Sequence, residues 1–172
     1  IVYTEGRSRP RQEVRTEGEG ILRNIPLVVL VDEFSASSSE IVAGAMQDND
    51  RALIVGRRTF GKGLVQEQRI FPDGSGLRLT VARYYTPSGR CIQKPYKLGE
   101  GDKYAEEWVA RWERGEFMHS DSIHQDTLQR FTTASGRVVY GGGGIMPDVF
   151  TPLDTMGYAP YYKAVTNRGL PI

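Results

Sequence analysis

Pro26-Leu27-Val28-Val29-Leu30-Val31-Asp32 is a continuous β-branched and apolar run, and from Ser37 onward the period of the sequence changes. A run without polar alternation suits a strand buried on both faces, as in a parallel α/β sheet. Between Ser37 and Asn49 the positions Ile41, Val42, Ala45 and Met46 fall at helical spacing and make one apolar stripe. Ser37 and Glu40 fit the S-x-x-E capping box that opens a helix, and Asn49-Asp50 mark its end. Ala52-Leu53-Ile54-Val55 is a second short buried strand. Strand, helix and strand in roughly 30 residues form a βαβ unit, with a right-handed crossover expected. The fold class is therefore α/β.

Outward from this unit the pattern shifts. Leu64 to Phe71 and Leu77 to Thr86 flank Pro72-Asp73-Gly74-Ser75-Gly76, which supplies turn chemistry for a β-hairpin. Before the unit, Ile1-Val2-Tyr3-Thr4 has the character of a strand, and residues 5–20, rich in Glu, Arg and Gly, that of an exposed connector. After the hairpin, Tyr104 to Arg114 with Trp108, Val109 and Trp112 predicts an amphipathic helix, and Ser120 to Phe131 a second one. The tryptophans suit core or interface packing. Gly141 to Gly144 breaks any element and permits close approach of another backbone. The tail from Tyr158, with Tyr161 and Tyr162, predicts a short docked helix.

Composition narrows the class of function. A chain of 172 residues suits one domain with a true core. A net charge of +1 gives no bulk field favouring nucleic acid or an anionic membrane. The single cysteine, Cys91, excludes an internal disulfide and a CxxC metal site. His119 and His124 lack a neighbouring cysteine and suit surface or packing roles better than metal binding. No apolar run reaches the roughly 20 residues of a membrane span. The opening Ile1-Val2-Tyr3-Thr4 is expected to be a strand entering inside a domain rather than a signal peptide.

Two short segments carry chemistry. In Phe34-Ser35-Ala36-Ser37-Ser38-Ser39-Glu40 a serine stands where strand gives way to helix, and in Arg58-Thr59-Phe60-Gly61-Lys62-Gly63 a lysine stands between glycines. A serine hydroxyl is a weak nucleophile until a base takes its proton. At a helix start the free N–H groups and the dipole favour negative charge, so an oxyanion beside Ser37 has the Ser38 N–H as a donor. Lysine serves as the base only when neutral, which requires its value to fall from about 10.4 to roughly 7–8. Desolvation drives such a fall, and Phe60, Leu64 and Val65 offer an apolar surround. Spacing alone favours Ser37 as a plain N-cap and Lys62 as a solvated loop residue, and leaves Ser35, Ser38 and Ser39 as rival nucleophiles.

Gly56-Arg57-Arg58-Thr59-Phe60-Gly61-Lys62 also fits GxxxxGK, the phosphate-cradling loop. Against it, Gly63 stands where a Ser or Thr should hold Mg²⁺, the following residues predict a hairpin instead of a helix, and the apolar-then-acidic strand Leu27 to Glu33, which would position Mg²⁺, precedes the loop rather than following it.

These segments resemble a known family. Val28 to Asp32 with Ser35 to Asp48, Arg51 to Gly56, Thr59 to Gly63 with Gln66, Asp73 to Arg90 with Ile92-Gln93, and Gly144 to Asp148 resemble the C-terminal processing (tail-specific) serine peptidases. The resemblance implies a crotonase-like α/β peptidase core. It implies Ser37 as nucleophile, Lys62 as general base, Gln66 as the residue orienting the lysine, and the Ser38 backbone N–H in the oxyanion hole. No cofactor or metal is implied. The implied substrates are proteins or peptides cut near flexible C-termini, the expected site is outside the cytoplasm, in the periplasm or cell envelope, and a homo-oligomer is compatible with it. The chain is expected to be the C-terminal part of a peptidase domain without the PDZ and N-terminal regions, with residues 94–140 as an insertion acting as lid, dimer contact or scaffold. A folded but inactive fragment, or a non-enzymatic crotonase-like binding or assembly module, is the competing expectation.

Overall fold

In a computed structural model, residues 1–172 are described apart from 19, 98, 156–159 and 170–172 and the side chains of 105 and 163. The elements run β1 (Val2–Gly6), β2 (Arg9–Val14), β3 (Val28–Val31), α1 (Ser38–Asp48), β4 (Leu53–Gly56), β5 (Leu64–Ile70), β6 (Gly76–Tyr85), α2 (Gly101–Glu113), β7 (Arg130–Thr132), β8 (Val138–Tyr140), β9 (Val149–Phe150) and α3 (Pro160–Asn167).

The βαβ unit forms. β3 and β4 pair in parallel from Val28 opposite Leu53 to Val31 opposite Gly56, and β9 joins β4 in parallel, giving the order β3-β4-β9. One side of this sheet is core: Val31, Ile54 and Ala52 pack with Ala43 of α1 and with Ile92 and Ile145, flanked by Val29, Ile41, Met46 and Tyr84. The expectation that the first strand is buried on both faces is corrected. Strand side chains alternate, and Val28, Leu30, Leu53 and Val149 are exposed, Leu30 by 78%.

The second sheet is antiparallel, in the order β2-β1-β6-β5. The β5–β6 hairpin is the predicted one, with a register irregularity between Val65 and Gln66. Residues 5–20 are not wholly a connector, because Arg9–Val14 pairs with β1. This strand is exposed at every residue and carries Pro10 and four charged or polar side chains, the marks of an edge strand rather than of a buried one. Arg9 Nη2 reaches Glu67 Oε1 at 2.6 Å, joining the two edge strands β2 and β5.

The helix expected at Ser120 to Phe131 does not form. A single 3₁₀ turn spans Ser120–Ser122, and β7 begins at Arg130. Asp126 accepts from the Leu128 N–H and from Gln129 Nε2, so a local side-chain turn captures the backbone a helix would need. The helix predicted from Tyr104 begins earlier, at Gly101. Tyr158 lies outside the described residues, and α3 carries Tyr161 on an exposed face.

Buried charge ties the later segments to α1. Arg90 donates to Asp48 Oδ1 and to Gln47 Oε1, and Gln47 Nε2 donates to Asp148 Oδ1 at 2.8 Å. Asp148 Oδ2 also accepts the Ile54 N–H, fixing the closing motif against β4.

Candidate active site

The turn between β3 and α1 is built by Asp32. Its Oδ1 accepts the N–H groups of Phe34 and Ser35 and the Ser35 hydroxyl, at 3.0, 2.8 and 3.0 Å. Ser35 Oγ also accepts the Asp32 N–H. The Ser35 hydroxyl is thus committed to the turn. Ser37, at the N-cap of α1, is exposed and has φ 60° and ψ −118°. That conformation belongs to glycine at the first central position of a type II′ turn and is strained for any other residue. A serine held at a strained strand-to-helix corner also marks the nucleophile elbow of unrelated hydrolases, a parallel of geometry only. Ser38 opens α1, and its N–H has no acceptor among the described residues.

The lysine loop runs from the end of β4 to the start of β5. It has no ladder, so its polar groups need other partners. Phe60 N–H donates to Ser35 O at 3.0 Å, joining the lysine loop to the serine turn directly. Gly61 O accepts the Lys94 N–H, and Gly63 N–H donates to Gln93 Oε1 at 3.0 Å. The central group is Glu40, whose side chain is fully buried. Its Oε1 accepts Thr59 Oγ1 at 2.5 Å and the Gly61 N–H at 2.6 Å. Its Oε2 accepts the Ser37 N–H at 2.9 Å and the Lys62 N–H at 2.8 Å. Two donors on one oxygen at those lengths place the Ser37 and Lys62 backbone nitrogens within about 6 Å of each other.

The side chains stand apart from this frame. Lys62 is exposed, and no hydrogen bond joins it to Ser37 Oγ among the described residues. Gln66, exposed on β5, donates from Nε2 to Thr80 Oγ1 at 3.4 Å rather than to Lys62. The expectation of an apolar surround for Lys62 is corrected: Lys62 is exposed, and the Phe60 ring is taken by Lys94, which is only 4% exposed. Lys94 Nζ sits 4.2 Å from the Phe60 ring centroid and 4.1 Å from that of Tyr104, and pairs with Glu107 Oε2 at 3.0 Å.

The phosphate-loop alternative fails on the same geometry. The N–H groups of Gly61 and Lys62 that a phosphate would need are taken by the Glu40 carboxylate. The residues after Lys62 form β5, not a helix.

Glu40 was legible only as a capping-box partner, and its Ser37 N–H bond is that half of the box. Its reach to the lysine loop had no local signal. The glycine run is the other long-range support. A Cβ on Gly143 would come within 2.6 Å of Lys94 Cα, and one on Gly144, at φ +74°, within 2.6 Å of Thr59 O.

Comparison with known proteins agrees with this architecture. A carboxyl-terminal-processing protease of Picosynechococcus sp. is 50% identical over 94 residues, 55% of this chain and 22% of the relative. A chloroplastic C-terminal processing peptidase of Tetradesmus obliquus is 54% identical over 78 residues, 45% of this chain and 17% of the relative. The chain thus spans about a fifth of the length of these relatives. Among solved structures, a photosystem II D1 C-terminal processing protease superposes with a TM-score of 0.50 at 46% identity, over 54% of this chain and 24% of that one. The sequence model of peptidase family S41 matches residues 1–98, more than half of the chain. The chain belongs to peptidase family S41, and its named relatives are carboxyl-terminal-processing proteases.

Proposed function

We propose that this chain carries the nucleophile and the general base of a serine endopeptidase that cuts proteins near flexible C-termini. In this mechanism the neutral Lys62 amine takes the proton of Ser37 Oγ as the oxygen attacks the scissile carbonyl. The Ser38 N–H donates to the oxyanion of the tetrahedral intermediate. Collapse expels the amine product, which leaves with the proton held by Lys62, and water then hydrolyses the acyl-enzyme by the same route. Gln66, held only by a 3.4 Å bond, turns from Thr80 to orient the amine.

The observation that carries this proposal is Glu40. One buried oxygen holds the backbones of Ser37 and Lys62, and a strained serine conformation is kept at that point. Strain of this kind persists where the surroundings over-determine it, and it clusters at active sites. The test is cleavage of a quenched fluorescent peptide with a flexible apolar C-terminus by the full-length protein. Ser37→Ala and Lys62→Ala are each expected to lower kcat by at least about 10³-fold with the fold retained. Wild-type turnover in either variant rejects the dyad. The proposed location is outside the cytoplasm, in the cell envelope. Relatives described as chloroplastic support a compartment set apart from the cytosol, and fractionation of cells producing the full-length protein tests it.

A further inference from the structure

We propose that Arg111, on α2, is a positioning residue for Lys62. The proposal rests on Lys62 being the base, and it concerns a helix beyond the segment matched to the family, which ends at residue 98.

Arg111 is 1% exposed and presents its whole guanidinium fork to fixed partners. Nη2 donates to Arg58 O at 2.7 Å and Nη1 to Thr59 O at 3.2 Å. Nε donates to Glu116 Oε1 at 2.9 Å. Glu116, also almost wholly buried, accepts from Arg58 Nε at 2.7 Å and Nη2 at 3.1 Å and lies 3.5 Å from Arg114 Nη2, while Arg58 Nη2 also meets Glu107 Oε1 at 3.3 Å, so Glu116 and Glu107 together face three guanidinium groups.

The geometry gives this cluster a direction. Arg58 O and Thr59 O are successive carbonyls just upstream of Phe60-Gly61-Lys62. Immediately downstream, Glu40 takes the N–H groups of Gly61 and Lys62. A stretch without ladder bonds is therefore held by a buried cation on its carbonyls and a buried anion on its amides. Bridging two successive carbonyls needs a planar, multi-donor group, which Arg supplies and Lys, a point charge on a flexible stem, does not. The same helix also touches the serine turn, because Trp108 stacks on Phe34 with ring centroids 6.1 Å apart. α2 thus spans both loops that carry the reacting groups.

A buried ion pair that only anchored α2 would need none of the two carbonyl bonds. The two roles separate in kinetics. Misplacing a catalytic group by about 1 Å costs roughly 10–100-fold in the chemical step, whereas uniform binding shows in KM. The experiment compares full-length wild type, Arg111→Lys, Glu116→Gln and Lys62→Ala on the same peptide, with kcat referred to the fraction folded by circular dichroism. Arg111→Lys is expected to lower kcat about 10-fold or more with KM within about twofold, and to displace the acid limb of the kcat–pH profile. Glu116→Gln, which leaves Arg111 in place with an amide oxygen for its Nε but removes the negative charge facing Arg111 and Arg58, is expected to give a smaller loss of kcat with KM again unchanged, and decides the matter if Arg111→Lys does not fold. Wild-type kcat per folded molecule in the folded variants, or a loss confined to KM, overturns the positioning role. Full activity of Lys62→Ala overturns the base assignment, and the positioning role with it. Loss in Lys62→Ala together with unchanged Arg111→Lys and Glu116→Gln overturns the positioning role alone.

Discussion

Thr59 and Glu40 meet in the interior at 2.5 Å, the threonine hydroxyl donating to Glu40 Oε1. The same hydroxyl oxygen accepts the Ile145 N–H at 2.6 Å, and the Thr59 N–H returns to Ile145 O at 3.1 Å. One buried threonine therefore couples three segments distant in sequence: the helix behind Ser37, the loop of Lys62 and the closing motif around Ile145.

That coupling makes Glu40 intolerant of a near-isosteric change. Glu40→Gln keeps one oxygen, with its two donors, but turns an NH₂ group toward the other two. Each stranded buried donor costs about 1–3 kcal/mol, so destabilisation on the order of 2–6 kcal/mol is expected. Thr59→Val strands the Ile145 N–H and removes one donor from Glu40, with an expected cost of about 1–3 kcal/mol. Urea unfolding of the variants measures both. A Glu40→Gln variant as stable as wild type contradicts the four-bond arrangement.

The Arg90–Asp48 pair predicts a strong non-additivity. Both side chains are almost wholly buried, and burial works to lower the Arg90 guanidinium value while Asp48 opposes it. Arg90→Met leaves the Asp48 carboxylate without its cation at an expected cost of about 3–5 kcal/mol. Adding Asp48→Leu removes the uncompensated charge and should recover part of that loss, although the Ser88 N–H then loses its acceptor. A double-mutant cycle by denaturant titration reads the coupling, and additive single costs would show that the pair is not formed.

The parts of the fold legible in sequence are those with a local period. Val28 to Val31, the stripe Ile41, Val42, Ala45 and Met46, and the two arms around Asp73-Gly74 all announce their elements. β2 was not legible, because an edge strand of charged residues and a proline looks like a loop when its partner is unknown. The pairing of Val2–Gly6 decides it, and that is a non-local contact. The same limit applies to the site. Ser37 and Lys62 stand out by context, but Glu40, Thr59, Arg111 and Glu116 act through contacts between segments far apart in sequence. A buried charge satisfied only by tertiary contact leaves no spacing to read.

Acid should loosen two of these contacts. Burial acts to raise the Asp50 carboxyl, but hydrogen bonds from Arg137, Ser135 and Thr133 outweigh it and hold Asp50 well below the carboxylate range. Burial likewise acts to raise Glu116, and Arg58 and Arg111 outweigh it. A carboxyl depressed in the folded state contributes stability that is fully present above its unfolded value, near 4, and is lost as pH falls through the folded value. Thermal melts between pH 7 and pH 2 should therefore show wild type losing stability below about pH 4 more steeply than Asp50→Asn or Glu116→Gln. The gap between wild type and each variant should narrow on acidification. A gap that widens would reverse the sign of the shift.

Ser37 itself predicts a conflict between stability and chemistry. Its φ of 60° with ψ of −118° costs a residue with a Cβ on the order of 1–3 kcal/mol, and glycine nearly nothing. Ser37→Gly and Ser37→Ala both delete the hydroxyl, so both should lose turnover alike. They should differ in stability. Glycine relieves the strain and alanine retains it, which places Ser37→Gly about 1 kcal/mol or more above Ser37→Ala, after the larger unfolded-state entropy of glycine takes back part of the gain. Because the Glu40 bond is made by the backbone N–H, it survives in both variants and does not confuse the comparison. Denaturation midpoints with Ser37→Ala equal to or above Ser37→Gly would mean that the corner is not strained, and the conformational evidence for a serine held there by function would fall.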